Sequence, residues 1–305
     1  MDALFDFDAV AHDIPIQKTV QPPEEVVSKV HKASFEGEAA VLEQAIAQIQ
    51  ASCGDRYIDY LARCLYLAIE YRRHSIVTLL LGEGASINPS HVRAATTIGG
   101  TSTLSVLLTH GWDINAEMDW GEPPLLALAA ENEDVTNWFL SHGASPNAAC
   151  HLDLTPLSAD VQYAPFSVIK LLFDRGGSVS SGQLLHYAVR RELTDYLDVL
   201  VFLLDKRPSI NGVMCEGLYC YYQQRAFGLG TALHEASEKG KLDVVELMVA
   251  HGAHPLIKDP RGRTAQDWAD RAGHYSIAKF LKATAATASP LWYQFTDGRH
   301  PTGFG

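Results

Sequence analysis

From Ala94 to Ile169 the chain carries no lysine or arginine, while the same 76 residues hold nine acids. These are Asp113, Glu117, Asp119, Glu122, Glu131, Glu133, Asp134, Asp153 and Asp160, and they supply -9 of a net charge of -12. A field of that sign steers basic partners. Within it, Glu117-Met118-Asp119-Trp120-Gly121-Glu122 sets an aromatic ring among carboxylates. That combination suits a lysine or arginine side chain, through charge and cation–π attraction. The plainer alternative is a solvated acidic surface with Trp120 folded onto the next loop. Farther along, Cys150-His151-Leu152-Asp153 and the pair Gln162, Tyr163 add titratable and hydrogen-bonding groups. If Asp119, His151, Asp153 and Tyr163 converged, a paired acid and base would suffice for isomerisation, cyclisation or hydrolysis.

A second cluster lies in Gly212–Gly230, where Tyr219, Tyr221, Tyr222, Gln223, Gln224 and Arg225 crowd a long loop. Tyrosines give binding area at low entropic cost, and long loops in compact folds tend to be functional. The same tyrosines could equally pack over the irregular sixth unit. Cys215 and Cys220 lack zinc-ribbon spacing and read as free thiols. His251 and His254 are three apart with no third ligand in view, so no metal and no cofactor is expected. The motifs G-x-S-x-G, G-x-x-x-x-G-K-[ST] and H-E-x-x-H are absent. Gly99-Gly100-Thr101-Ser102 resembles a phosphate loop only in isolation.

The elements that would position these groups repeat. Thr231–Pro255 (TALHEASEKGKLDVVELMVAHGAHP) is the clearest copy, and related phrases run Leu65–Asn88, Val92–Asn115, Pro123–Asn147 and Thr155–Ser178. Closing glycines at Gly84, Gly111, Gly143 and Gly176 are 27, 32 and 33 residues apart. Leu184–Asn211 is a stretched copy without that glycine, Gly262–Ala283 ends the array, and Val30–Ile49 reads as a first capping copy. Each phrase has a physical reading. Thr caps a first helix with Pro just inside it. Ala at the fourth position lets helices approach closely, an apolar cluster forms the buried stripe of a second helix, and Gly ends that helix in a left-handed cap.

These phrases resemble the ankyrin repeat, over roughly Val30 to Ala283. The resemblance implies an all-α solenoid of about eight helix-turn-helix units, with loops projecting as fingers beside a concave groove. It makes Glu117–Glu122 and Cys150–Asp153 neighbouring fingertips, and places Gln162 and Tyr163 at a turn facing the groove. It also assigns His234 and His186 a loop-supporting role, and His110, His142 and His251 a frequent structural position before the closing glycine. Asp160 departs from the pattern, standing where the family has a small residue. The organisation expected is an acidic arm over 1–28, the array over 29–283 with its long finger 212–230, and a tail over 284–305.

The chain has 305 residues, 47% hydrophobic and 20% charged, an ordinary globular balance with ample core. Its longest apolar runs, such as Leu125–Ala130 and Val199–Leu204, are too short to span a membrane. The acidic start MDALFDFDAVAHD lacks the character of a secretory signal. Five cysteines without framework spacing fit a reducing compartment, so an intracellular setting, cytoplasmic or nuclear, is expected. Net acidity argues against nucleic acid. The reading that follows is a non-catalytic interaction scaffold. It would bind a basic protein segment with Glu117, Asp119, Trp120, Glu122, His151, Gln162, Tyr163, Tyr219, Tyr221, Tyr222 and Arg225. The alternatives are a small-molecule acid–base pocket in the same groove, or a regulatory subunit whose Tyr-rich finger or Leu291–Phe304 tail plugs another protein.

Overall fold

The structure, a computed structural model, describes residues 22–215, 221 and 229–287. It divides into two compact units, one ending at Trp112 and one beginning at Asp113. The first contains three helix pairs: α1 (Glu24–Glu36) with α2 (Ala39–Cys53), α3 (Ile58–Glu70) with α4 (His74–Gly82), and α5 (Pro89–Thr97) with α6 (Thr101–Thr109). The second opens with a 3-10 turn, Leu125–Leu128, paired with α7 (Glu133–Ser141). It continues with α8 (Pro156–Tyr163) and α9 (Phe166–Asp174), α10 (Leu184–Arg190) and α11 (Tyr196–Asp205), α12 (Ala232–Glu238) and α13 (Leu242–Ala250), and α14 (Ala265–Ala272) and α15 (Tyr275–Thr287). Among the described residues the fold is all-helical, apart from two isolated bridges, Asp119 with Glu122 and Val213 with Thr231. Helix α1 begins before residue 29, and α15 runs past residue 283.

Within each unit, first helices stack on first helices, α1 on α3 on α5 and α8 on α10 on α12 on α14. The fourth-position alanines make this stacking close. Ala68, Ala129, Ala188, Ala236 and Ala269 are all buried. In the fifth pair that position is Asp160, which is 2% exposed, with its Oδ2 atom lacking a hydrogen-bond partner. Burial raises its carboxyl well above the usual carboxylate range. Asp160 therefore adds nothing to the surface field that its place in the acidic stretch implied.

Helices of seven to ten residues leave much of their backbone unpaired at the ends. Three devices supply the missing partners. Thr155, Thr231, Thr264 and Asn88 form capping boxes with the residue three positions on. In two of them that residue is a histidine, whose Nδ1 accepts from the cap backbone while Nε2 donates to the adjacent repeat: His91 to the Ala62 carbonyl at 2.8 Å, and His234 to the Arg263 carbonyl at 3.2 Å. His186 makes the equivalent bond to the Gly230 carbonyl at 3.1 Å.

The second device is a set of asparagines in the connecting loops. Asn115 donates to the Gly143 carbonyl and accepts from the Ser145 amide. Asn147 does the same with Gly176 and Ser178, and Asn211 with Gly252 and His254. The third device is cationic. Arg73 donates to the Phe35 carbonyl at the end of α1, and Arg72 to the Ile98 carbonyl at the end of α5. Arg191, fully buried, donates to the Val161 and Ala164 carbonyls at the end of α8, and is held by Asp195 at 2.8 Å through both Nε and Nη2. Lys241 closes α10 through the carbonyls of Val189 and Arg191. Positive charge at a helix C-terminus also complements the macrodipole.

His110, His142 and His251 each turn back onto the carbonyl four residues earlier. Where the sixth pair lacks a closing glycine, Arg207 itself takes the left-handed conformation, φ 56°. The 3-10 turn at Leu125 departs from the expected helix. Its N-cap is Pro124, without a side-chain cap, and the turn ends after four residues at Leu128.

Three outcomes are expected. Arg191→Ala strips three carbonyl and carboxylate contacts from the core and should cost roughly 3 kcal/mol or more in urea unfolding; an unchanged midpoint would show the guanidinium to be dispensable. Asp160→Ala should raise the thermal midpoint at pH 7. A raised folded pKa means the native carboxyl is neutral at no cost below about pH 3.9 and loses stability as pH rises, so the gain should shrink toward pH 4. His91, His186 and His234 have the opposite sign, since burial depresses all three. Their contribution holds above the unfolded value near 6.5 and is lost as pH falls through the folded values. Urea midpoints measured from pH 8 to pH 5 should therefore decline, and substituting His234 by Gln should flatten that decline.

Candidate functional site

The acidic fingertip is a tight turn. The Met118 amide donates to the Glu122 carbonyl at 3.1 Å and the Glu122 amide to the Asp119 carbonyl at 3.0 Å. Met118 is buried beneath the turn, and Asp119 Oδ1 accepts from the Trp120 amide at 2.7 Å. These bonds push Trp120 outward, where it is 44% exposed, between the exposed carboxylates Asp119 and Glu122.

The next loop lies directly against this turn. His151 places its ring 6.4 Å from that of Trp120, with the planes 23° apart. Glu117 holds it there, accepting from the His151 amide at 3.0 Å and pairing with Nδ1 at 2.7 Å. Leu152 packs within van der Waals reach of Gly121, where a β-carbon would meet it at 3.3 Å. Trp120, His151, Glu117, Asp119 and Glu122 thus form one surface, aromatic at the centre and anionic around it.

The other candidate groups are placed differently. Asp153 sits on a left-handed turn, φ 56°. Burial raises its carboxyl, opposed by hydrogen bonds from the Gly182 backbone and the Gln183 side chain. Gln162 donates to the Tyr163 hydroxyl at 2.8 Å, and Tyr163 is 73% exposed. Both stand at the C-terminal end of α8, whereas the finger enters its N-terminus. Eight helical residues put about 12 Å between those ends. Asp119, His151, Asp153 and Tyr163 consequently do not gather around one point. The histidine–carboxylate contact that does form uses Glu117, and it is open to solvent.

Of the Tyr-rich loop, Tyr219, Tyr222 and Arg225 lie outside the described residues. The roots of the loop are pinned: the Met214 amide donates to the Gly230 carbonyl at 3.0 Å, and the Cys215 amide to Gln183 Oε1 at 2.7 Å. Tyr221, Val213, Met214 and Leu152 pack around Cys215 and Leu229. Tyr221 is therefore part of a small apolar cluster. Among the described cysteines, Cys53, Cys64, Cys150 and Cys215 are free thiols, and Cys220 lies outside the described residues. No group of three or more metal-ligating side chains occurs among the described residues.

Sequence reasoning missed a second polar site. An open cleft of about 490 Å³ lies where α10, α12 and α14 meet the roots of the long loop. Four arginines line it: Arg190, Arg261, Arg263 and Arg271. Arg190 is paired with Glu235, and Arg263 with Asp259 at 2.6 Å. Asp259 also accepts from the Arg261 amide at 2.9 Å and from the Trp268 indole at 2.9 Å. The signal was present as four arginines in a chain short of cations, but Arg190 lies some 70 residues before the other three.

Comparison with known proteins agrees with the repeat geometry. The ankyrin repeats (3 copies) family matches residues 185–289. The chain is 32% identical over 88 residues to the probable E3 ubiquitin-protein ligase XBOS34 of Oryza sativa subsp. japonica, which is 29% of this chain and 15% of that protein. It is 38% identical over 56 residues to the human espin-like protein, 18% of this chain and 6% of that one. Against the human ARF GTPase-activating protein GIT1 the identity is 43% over 51 residues, 17% and 7% of the two chains. The chain spans less than a sixth of the length of each of these three relatives. No described helix is long and apolar enough to cross a membrane. Residues 185–289 match ankyrin repeats, and the all-helical stack of pairs on either side of them is consistent with an ankyrin-repeat solenoid.

Proposed function

We propose that this protein is a non-catalytic scaffold that captures a basic segment of a partner protein on the fingertips Glu117–Glu122 and Cys150–Asp153. Ankyrin repeats, matched over residues 185–289, indicate a protein-interaction module. The observation that carries the finer reading is Trp120, held outward by its own turn between Asp119 and Glu122 and flanked by His151. An exposed indole ringed by carboxylates offers a cation both a π face and a countercharge. The absence of any lysine or arginine from Ala94 to Ile169 leaves that field unopposed in sequence.

Glu117 has a supporting role in this reading. Its carboxylate is engaged by His151 and so fixes the ring beside Trp120. A rim site of this kind gives salt-sensitive association more than raw affinity. The acid–base alternative has less support, because Tyr163 stands at the far end of α8 and the Glu117–His151 pair is open to water.

The test uses the full chain and a fluorescein-labelled octapeptide of alternating lysine and serine, followed by anisotropy. Binding should be saturable and should weaken as salt rises from 50 to 300 mM. Asp119→Ala/Trp120→Ala should weaken it about tenfold, the scale of one aromatic–cation contact plus a rim charge. Equal binding by the double variant and the wild type would overturn the site.

A further inference from the structure

We infer that the arginine-lined cleft of repeats six to eight is a second binding site, of opposite sign, for an acidic peptide segment. The chain as a whole is at -12, yet here four guanidinium groups face one space. Two of them are locked in place. Arg190 is held by Glu235, by Met214 sulfur at 3.2 Å and by the Tyr187 ring at 5.1 Å. Arg263 is held by Asp259 and lies over the Trp268 ring at 5.3 Å. A guanidinium has five N–H donors in a fixed fork, so one carboxylate partner leaves donors over on each. Arg261 and Arg271 are exposed at the rim and bring further positive charge.

Two carboxylates at the cleft orient arginines, and a third, Glu238, lines it as an exposed acid, so four arginines face two lining glutamates. Glu235 is committed to Arg190, and Asp259 is buried beneath Arg263 and Trp268. A carboxylate or phosphate entering the cleft would therefore meet preset donors, the geometry in which arginine forms its strongest charge-assisted bonds.

The shape favours an extended peptide. The floor is formed by the consecutive first helices α10, α12 and α14, which bear Arg190, Glu235, and Trp268 with Arg271. Neighbouring helix axes lie about 8–10 Å apart, so the floor runs about 20 Å, the reach of six extended residues at about 3.3 Å each. An extended acidic segment would meet arginine at its two ends, Arg190 of α10 and Arg271 of α14, with Glu235 and Glu238 of α12 between them favouring acids spaced apart along the segment.

This inference is independent of the basic-segment reading, and the same instrument tests both. The probes are a fluorescein-labelled octapeptide of alternating glutamate and serine, its phosphoserine counterpart, and inorganic phosphate as competitor. At least one acidic octapeptide should bind the full chain saturably and be weakened by salt. Arg261→Ala/Arg271→Ala should weaken it about tenfold or more, and Arg271→Ala alone, at an exposed position, should weaken it without shifting the melting temperature. The Asp119→Ala/Trp120→Ala variant should bind it as the wild type does. Preference for the phosphoserine peptide would identify phosphate as the anion, and equal binding would identify carboxylate. Failure of both peptides, or binding indifferent to the arginine substitutions, would overturn the inference. Saturable phosphate binding without peptide binding would replace it with a small-anion site.

Discussion

A helix of nine residues has more unsatisfied backbone at its ends than hydrogen bonds in its middle, and the architecture of this chain is organised around that deficit. Long helices dilute their ends; these cannot. Each pair therefore depends on side chains from itself and its neighbours to occupy the exposed amides and carbonyls. Threonine and asparagine caps take the N-termini, histidines carry the cap across to the next repeat, asparagines join successive loops, and arginines or a lysine close the C-termini. The apolar stripes drive the stacking, but these polar bonds set its register, because each is met at one spacing only.

That use of side chains shapes the surface chemistry. Arg72, Arg73, Arg191 and Lys241 are engaged with backbone carbonyls inside the array. Cations engaged in this way add little to the outer field. The fingertips, which carry no helix ends to satisfy, are where exposed acids and Trp120 accumulate. The exception is the cleft of the last three repeats, where arginines are anchored by carboxylates and not by carbonyls, leaving their remaining donors toward solvent.

The irregular positions follow the same logic. Asp160 occupies an alanine position, is enclosed by the stacking, and retains an unpartnered oxygen. Pro123-Pro124 takes the place of a threonine cap, and the first helix of that pair shrinks to a 3-10 turn. Arg207 adopts the backbone conformation that the missing glycine would have taken. In each case the neighbouring repeats hold the local geometry against the preference of the residue itself.

What the sequence alone determined was the repeat: the small or capping residues that open first helices, the fourth-position alanines and the closing glycines recur at a spacing short enough for local chemistry to reveal helix pairs and their ends. The loop-supporting roles of His186 and His234 followed from the resemblance of their phrases to the repeat; for His234 half of that role is local, a bond to the Thr231 amide three residues away, while the partners in the next repeat lie 29 and 44 residues off. The fingertip Glu117–Glu122 was legible as a charged aromatic turn, but its bond to His151 was not, because that pairing spans 34 residues and depends on how one repeat sets down on the next. Only the tertiary structure placed Tyr163 at the far end of α8, buried Asp160, and gathered Arg190, Arg261, Arg263 and Arg271 around one cleft. Periodicity records which face of each helix is covered. It does not record which side chains from separate repeats meet, since that depends on the stacking distance and on the loops between them.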